Sequence, residues 1–362
     1  MSIIVNASRI GNVGGLRSFA KSLMQCFEGI PGICVVVPSG IHLTIEHEEH
    51  FVPSWLASHL RNSPLRPLLW WAYSAVLFPG NSTLQVLGST HHVLPFRKHQ
   101  IVTVHDIRPY YYPDNWAQAV YFRYLLPRML KRCDGVLTVS ESSKNLLVSV
   151  YGLKREQVHV VPNVVECEFL LPSSSGARDA DRYLLAVGST WKHKNVAELL
   201  RMHEYWAPTY KLKIVAAAGE YAEFLMRMAN HLQIQNRVEF LSGTSSMDLL
   251  SLYQHCAALV HPSTMEGFGL PPLEAMSCGR PVIVSDIAPF RELYGDVPIY
   301  VQLGDVESWR SAFAALEGYS EVRISSGIER AKSFSHSKMR QSLFCALRAI
   351  WGEDFLGEAP QG

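Results

Sequence analysis

Apolar and polar positions fall into blocks along this chain. Short apolar runs of strand length occupy residues 3–7, 33–37, 84–87, 101–104, 135–139 and 158–161, and longer stretches with helical spacing separate them. Unbroken apolar runs belong to strands buried on both faces, so the pattern predicts a mostly parallel sheet covered by helices. The first run leads into Arg9-Ile-Gly-Asn-Val-Gly-Gly-Leu-Arg, a glycine-bearing turn that opens a helix reaching about Cys26. That is a first β-loop-α unit.

Between Glu168 and Arg182 the composition turns polar, through Pro172-Ser-Ser-Ser-Gly-Ala-Arg-Asp-Ala-Asp181, and this stretch reads as a linker. Beyond it a second series of apolar runs follows, at 183–187, 213–217, 237–241, 257–260, 281–284 and 298–301, with helices predicted at 196–205 and 220–232. The reading is therefore α/β, with two Rossmann-like domains, residues 1–170 and 171–335. A chain of 362 residues is long enough for two such cores.

A formal net charge of +1, with 18% charged residues, gives no sign of a nucleic-acid coat. The seven cysteines are scattered and contain no CxxC pair, which fits reduced thiols in the cytoplasm rather than disulfides or zinc. Met-Ser-Ile-Ile-Val-Asn lacks the features of an export signal. The most apolar window, 67–78, is shorter than the about 20 residues that span a bilayer. Its tryptophans and tyrosine, flanked by Arg61, Arg66, Arg97 and Lys98, fit either a buried helix or peripheral contact with the inner face of the cell membrane.

The chemistry concentrates in His261-Pro-Ser-Thr-Met-Glu-Gly-Phe-Gly-Leu-Pro-Pro-Leu-Glu-Ala-Met276. Gly267 and Gly269 let backbone amides approach an anion, and Pro271 with Pro272 pre-set a first helical turn. Glu266 and Glu274 bracket this turn, one placed to accept from sugar hydroxyls and the other from a ribose diol. The segment resembles the E-x7-E signature of retaining glycosyltransferases of the GT-B fold, in the large family numbered four, typified by bacterial mannosyl- and glucosyltransferases. That resemblance implies two domains facing each other across a cleft, with terminal helices in 336–362 crossing back to the first. It also implies a nucleoside-diphosphate sugar as donor.

Other landmarks occur in the family's order. Gly11, Gly14 and Gly15 resemble its glycine loop near the donor, and His105-Asp106 its strand-end pair. The resemblance implies contact of His105 with the transferred sugar, while Asp106 orients its loop or the acceptor. Ser140 reads as a helix cap. Gly188-Ser-Thr-Trp-Lys-His-Lys-Asn195 resembles the diphosphate loop, with Lys194 as the main cation. Many members carry arginine where this chain has Ser189, so Lys192 or Arg280 is a candidate for the second charge. Phe240 and Leu241 match the strand bordering the nucleotide base. The amides of Gly267, Phe268, Gly269 and Leu270 complete the phosphate site.

The histidines show no metal-ligand spacing, and Asp179-Ala-Asp181 lies in the polar linker, so no metal site is expected. Catalysis then rests on His105 and Glu266. The expected reaction moves a hexose to a saccharide acceptor, lipid-linked, in bacterial surface polysaccharide synthesis. Mannose from GDP-mannose is the first expectation, with UDP- and dTDP-hexoses beside it. A GT-B epimerase or phosphorylase, a paired-carboxylate hydrolase and a non-catalytic sugar-nucleotide-binding protein are the competing readings.

Overall fold

The computed structural model describes residues 3–7, 15–43, 47–53, 69, 72, 73, 76, 85–90, 93–95, 97, 99–166, 182–188, 191–215 and 219–352. The chain divides into two units, Met1–Val164 with His336–Gly362, and Val165–Ser335. The expected linker, Gly14 and most of the apolar window at 67–78 lie outside the described residues.

The first unit is built on seven described strands: β1 (Ile3–Asn6), β2 (Ile33–Pro38), β3 (Glu48–Val52), β4 (Gln85–Ser89), β5 (Gln100–Val104), β6 (Gly135–Thr138) and β7 (Val158–Val160). Their order is β3-β2-β1-β4-β5-β6-β7, and every pairing is parallel. All residues of β5 and β6 are buried, as the unbroken apolar runs require. The strand that apolar runs did not predict is β3, Glu-Glu-His-Phe-Val, where Val52 alone is buried. Among the described strands it lies at the sheet edge, paired on one side only, and polar side chains are tolerated there.

The second unit holds six described strands: β8 (Tyr183–Val187), β9 (Lys211–Val215), β10 (Val238–Leu241), β11 (Ala258–His261), β12 (Val282–Ser285) and β13 (Ile299–Val301). The order is β10-β9-β8-β11-β12-β13, again all parallel. The helix predicted at 196–205 is split into Val196–Arg201 and His203–Trp206. Trp206 is fully buried and donates its indole N–H to the Leu199 carbonyl at 2.9 Å, occupying the acceptor that an unbroken helix would offer to His203.

Each sheet has one place where strand order reverses direction, between β1 and β4 in the first and between β8 and β11 in the second. Connections on either side of such a point leave toward opposite faces and open a crevice at the carboxyl ends of the strands.

The His336–Trp351 helix packs within the first unit, against the Gly15–Cys26 helix. Met339, Leu343 and Leu347 recur every four residues and are fully buried, while Gln341 and Cys345 face solvent. Arg340 donates to the Glu28 carbonyl, and Phe344 meets Phe27 with ring centroids 6.0 Å apart. Leu347→Ala should therefore cost about 2–5 kcal/mol, against less than about 0.5 kcal/mol for Gln341→Ala. Urea unfolding of the two variants checks this contrast, and equal midpoints would remove this helix from the core.

Candidate active site

The second sheet's switch point is where charged groups converge. After β8 the chain makes a single tight turn, Lys192–Lys194, and Asn195 closes it in the left-handed region at φ 54°. Asparagine tolerates that conformation better than most residues. Its amide donates to Glu198 Oε2 at 2.7 Å, which fixes the start of the next helix. The His193 carbonyl accepts from the Thr264 N–H at 2.8 Å, tying this turn to the loop after β11.

Lys194 Nζ consequently meets Glu266 Oε1 at 2.5 Å, with the two side chains 15% and 12% exposed. The same oxygen is within 3.0 Å of His261 Nε2 and accepts from Ser263 Oγ at 2.8 Å. Ser285 on β12 holds the Ser263 carbonyl in turn. Burial, the largest single effect, would raise the Glu266 pKa, but the Lys194 charge together with the hydrogen bonds from His261 and Lys194 outweighs it and holds the carboxyl well below the usual carboxylate range. Burial and the Lys194 charge push His261 down, so a neutral imidazole donates to the carboxylate. His261 and Ser263 were not among the expected site residues. Their signal was positional, since a histidine ending an apolar strand and a serine two residues on face the same carboxylate.

Past Glu266 the backbone turns at Gly269, φ 88° and ψ 71°, into the helix Leu270–Ser277. The Tyr294 hydroxyl lies 3.1 Å from the Phe268 carbonyl and 2.5 Å from that of Gly269. Each peptide unit is planar and trans, so carbonyls turned toward Tyr294 leave the N–H groups of Gly269 and Leu270 on the other side. The N–H groups of Phe268, Gly269 and Leu270 donate to no atom of the described residues. A side chain at 269 would collide with Tyr294 and Phe290 and would face an unfavourable φ, which explains glycine here. The prolines at 271 and 272 start the helix without adding donors.

One turn into that helix, Glu274 is partly exposed and accepts from the Tyr253 hydroxyl at 2.6 Å. Among the described residues no cation acts on it. Burial, opposed by the Tyr253 hydrogen bond and assisted by Glu166, pushes its pKa up to about 7. Lys192 is exposed on the turn after β8, and Arg280 donates to the Gln254 carbonyl. Ser189 lies outside the described residues. Phe240 and Leu241 lie on the edge strand β10, where Phe240 packs partly against the core.

In the first unit, the matching switch point carries a cavity of about 30 Å³ lined by Asn6 at the end of β1, Ala7 after it, Ser89 at the end of β4, Phe19, Thr103 and His105. His105 stands edge-on to Phe19 with ring centroids 4.4 Å apart. Asp106 Oδ1 accepts from the Arg108 N–H at 2.8 Å, so it shapes its own loop. Ser140 Oγ accepts from the Ser143 N–H and caps the helix Glu141–Tyr151. Gly15 is the first residue of the helix Gly15–Cys26.

This arrangement accords with what the chain is similar to. The model described as "Glycosyl transferases group 1" matches residues 170–312, and that of "Glycosyltransferase Family 4" matches 33–169. The O-antigen chain mannosyltransferase RfbU of Salmonella typhimurium is 36% identical over 326 residues, 87% of this chain and 91% of that protein. The chain belongs to glycosyltransferase family 4. The O-antigen chain mannosyltransferase B of Escherichia coli is 26% identical over 67% of this glycosyltransferase and 68% of its own length. Among solved structures, sucrose-phosphate synthase of Thermosynechococcus elongatus matches with a TM-score of 0.76 at 17% identity, covering 97% of this chain and 99% of that one. HepE of Anabaena, in complex with UDP and glucose, matches with 0.74 at 17% identity, covering 96% and 99%. Two parallel-sheet α/β units with these neighbours make the GT-B fold.

The Glu266 carboxylate contributes stability fully above its ordinary value of 4.5, and loses that contribution as pH falls. Glu266→Gln leaves the Lys194 ammonium partly buried without its anion, which should cost about 3–5 kcal/mol near neutrality. Urea unfolding of both forms at pH 7 and pH 4 should show the gap narrowing in acid. A gap that stays constant would mean the pair contributes no charge-dependent stability.

Proposed function

We propose that this glycosyltransferase moves a hexose, with retention of anomeric configuration and without a metal, from a nucleoside-diphosphate sugar to a lipid-linked saccharide in bacterial surface polysaccharide synthesis. The observation that carries the reading is the ammonium of Lys194 beside Glu266, on the same loop system as three undonated amides at a switch point. Departure of the nucleotide builds negative charge on the β-phosphate. A cation and aligned amides stabilise that charge more than they stabilise the ground state, and each well-placed donor is worth about 3 kcal/mol.

Roles follow from this. Lys194, with the Gly267 to Leu270 segment, takes the diphosphate, and Lys192 is a nearby source of second charge. Glu266 positions the sugar hydroxyls and steadies oxocarbenium character rather than acting as a nucleophile. Its Oε1 is already engaged by Lys194, His261 and Ser263, a firm anchor for the carboxyl. Glu274 accepts from the ribose diol, with Phe240 and Leu241 bordering the base. His105, with Gly14 and Gly15, serves the transferred sugar. A departing phosphate that takes the acceptor's proton on the same face needs no covalent intermediate. Likeness to two O-antigen mannosyltransferases supports mannose from GDP-mannose as the first choice, with UDP- and dTDP-hexoses next.

A cytoplasmic enzyme meeting the inner membrane face fits a lipid-linked acceptor. Among the described residues no helix is long and apolar enough to cross a membrane. Tyr111, Tyr112, Trp116, Val120, Tyr124 and Leu125 are all at least 41% exposed, and Arg123, Arg128, Lys131 and Arg132 are exposed around them. Aromatic and basic side chains together suit the interfacial region of an anionic bilayer.

Purified protein should transfer labelled mannose from GDP-mannose to a lipid-linked saccharide, give the α-product from the α-donor by proton NMR, and keep its rate in EDTA. Lys194→Ala should lower kcat/KM about 100- to 1,000-fold. Inversion of configuration, or a rate abolished by EDTA, would overturn the mechanism. Failure to bind anionic liposomes, together with transfer only to soluble saccharides, would remove the lipid-linked acceptor.

A further inference from the structure

The Tyr253 side chain is fully buried inside the second unit, on the helix Ser246–His255, yet its hydroxyl is spent on a carboxylate of the neighbouring Leu270–Ser277 helix. Burying a phenol is favourable only when its O–H finds a partner, and that partner is Glu274 Oε2 at 2.6 Å. Tyr253 is the one side chain of the described residues that donates to this carboxyl. Glu274 remains partly exposed, and among the described residues no hydrogen bond reaches its other carboxyl oxygen.

We propose that Tyr253 is a positioning residue for the donor nucleotide: it fixes the Glu274 side chain so that one carboxyl oxygen is committed and the other accepts from the ribose diol. This rests on the assignment of Glu274 to the ribose. The same hydrogen bond makes donor affinity depend on pH. Glu274 sits at about 7, raised by burial and by Glu166 and lowered by Tyr253. The other titratable groups acting with it are Tyr294, from the helix Ala288–Tyr294, and Cys278 behind its own helix. The helix Glu321–Lys332 packs against it too, but Arg330 and Arg323 there donate to backbone carbonyls at 292, 293, 296 and 298. Among the described residues no cation therefore replaces Tyr253 as the support of the charged form. A diol donates best to a carboxylate, so affinity rises as pH climbs through 7. Without the tyrosine hydroxyl the rise moves to higher pH.

The test titrates GDP-mannose, with UDP-glucose in parallel, into wild type, Tyr253→Phe, Glu274→Gln and the double variant between pH 6 and 9, with kcat measured at saturating donor. Tyr253→Phe should weaken donor binding about tenfold at pH 7, the scale of a hydrogen bond to a charged group, and shift the rise upward in pH while kcat changes little. Glu274→Gln should weaken binding and flatten the profile, and the double variant should match it. If Glu274→Gln weakens binding while Tyr253→Phe keeps the wild-type profile, the role of Tyr253 is overturned and the ribose assignment stands. If Glu274→Gln binds like wild type, both fall. A double variant that loses a further tenfold would mark Tyr253 as structural packing and overturn the proposal, as would a Tyr253→Phe that loses kcat and folding together.

Discussion

A carboxylate at position 266 is nearly enclosed by protein, and such a charge is tolerated only when compensated. The local architecture of the second unit can be traced from that requirement. Lys194 reaches Glu266 because the turn after β8 is tied to the loop after β11 through the His193 carbonyl and Thr264. His261 ends β11, and Ser263 is held by Ser285 from β12, so three adjacent strands contribute to one oxygen. Parallel strands make this possible, because all their carboxyl ends open on the same edge of the sheet.

The turn from Phe268 to Leu270 follows from a different constraint, the direction of peptide planes. Tyr294 draws two successive carbonyls to itself, and planarity then decides where the amides lie. Gly269 is required because the turn needs a left-handed residue and because the space where a side chain would project belongs to Tyr294 and Phe290. The amides of Gly269 and Leu270 are thus turned away from Tyr294 on a loop whose one charged side chain is Glu266, and Lys194 brings a cation beside it from the turn after β8.

Much of this was legible in the sequence because buried parallel strands and helix-opening turns have local signatures. The runs at 101–104, 135–139 and 281–284 lie on strands, and the Gly-Phe-Gly-Leu-Pro-Pro segment lies at a helix start. The pairing of Lys194 with Glu266 joins residues 72 positions apart, and no local pattern encodes such a contact. Tyr253, too, reads as an ordinary apolar position of an amphipathic helix until its hydroxyl is seen on Glu274. The edge strand β3 escaped for the opposite reason, since its polar sequence carries no burial signal.

The two glutamates show why spacing alone does not define a site. They lie on one loop and helix, yet Glu266 is held charged by an ammonium, while Glu274 has only a phenol for support and another carboxylate nearby. Their proton affinities are accordingly driven apart in opposite directions, the condition under which two carboxyls take different tasks. A permanent anion suits the developing positive charge of a sugar undergoing transfer, since its field does not depend on pH near neutrality. A carboxyl raised to about 7 fits the proposed contact of Glu274 with a ribose diol. The proposed division of labour between positions 266 and 274 therefore rests on the groups opposite them, Lys194 and Tyr253, rather than on the glutamates themselves.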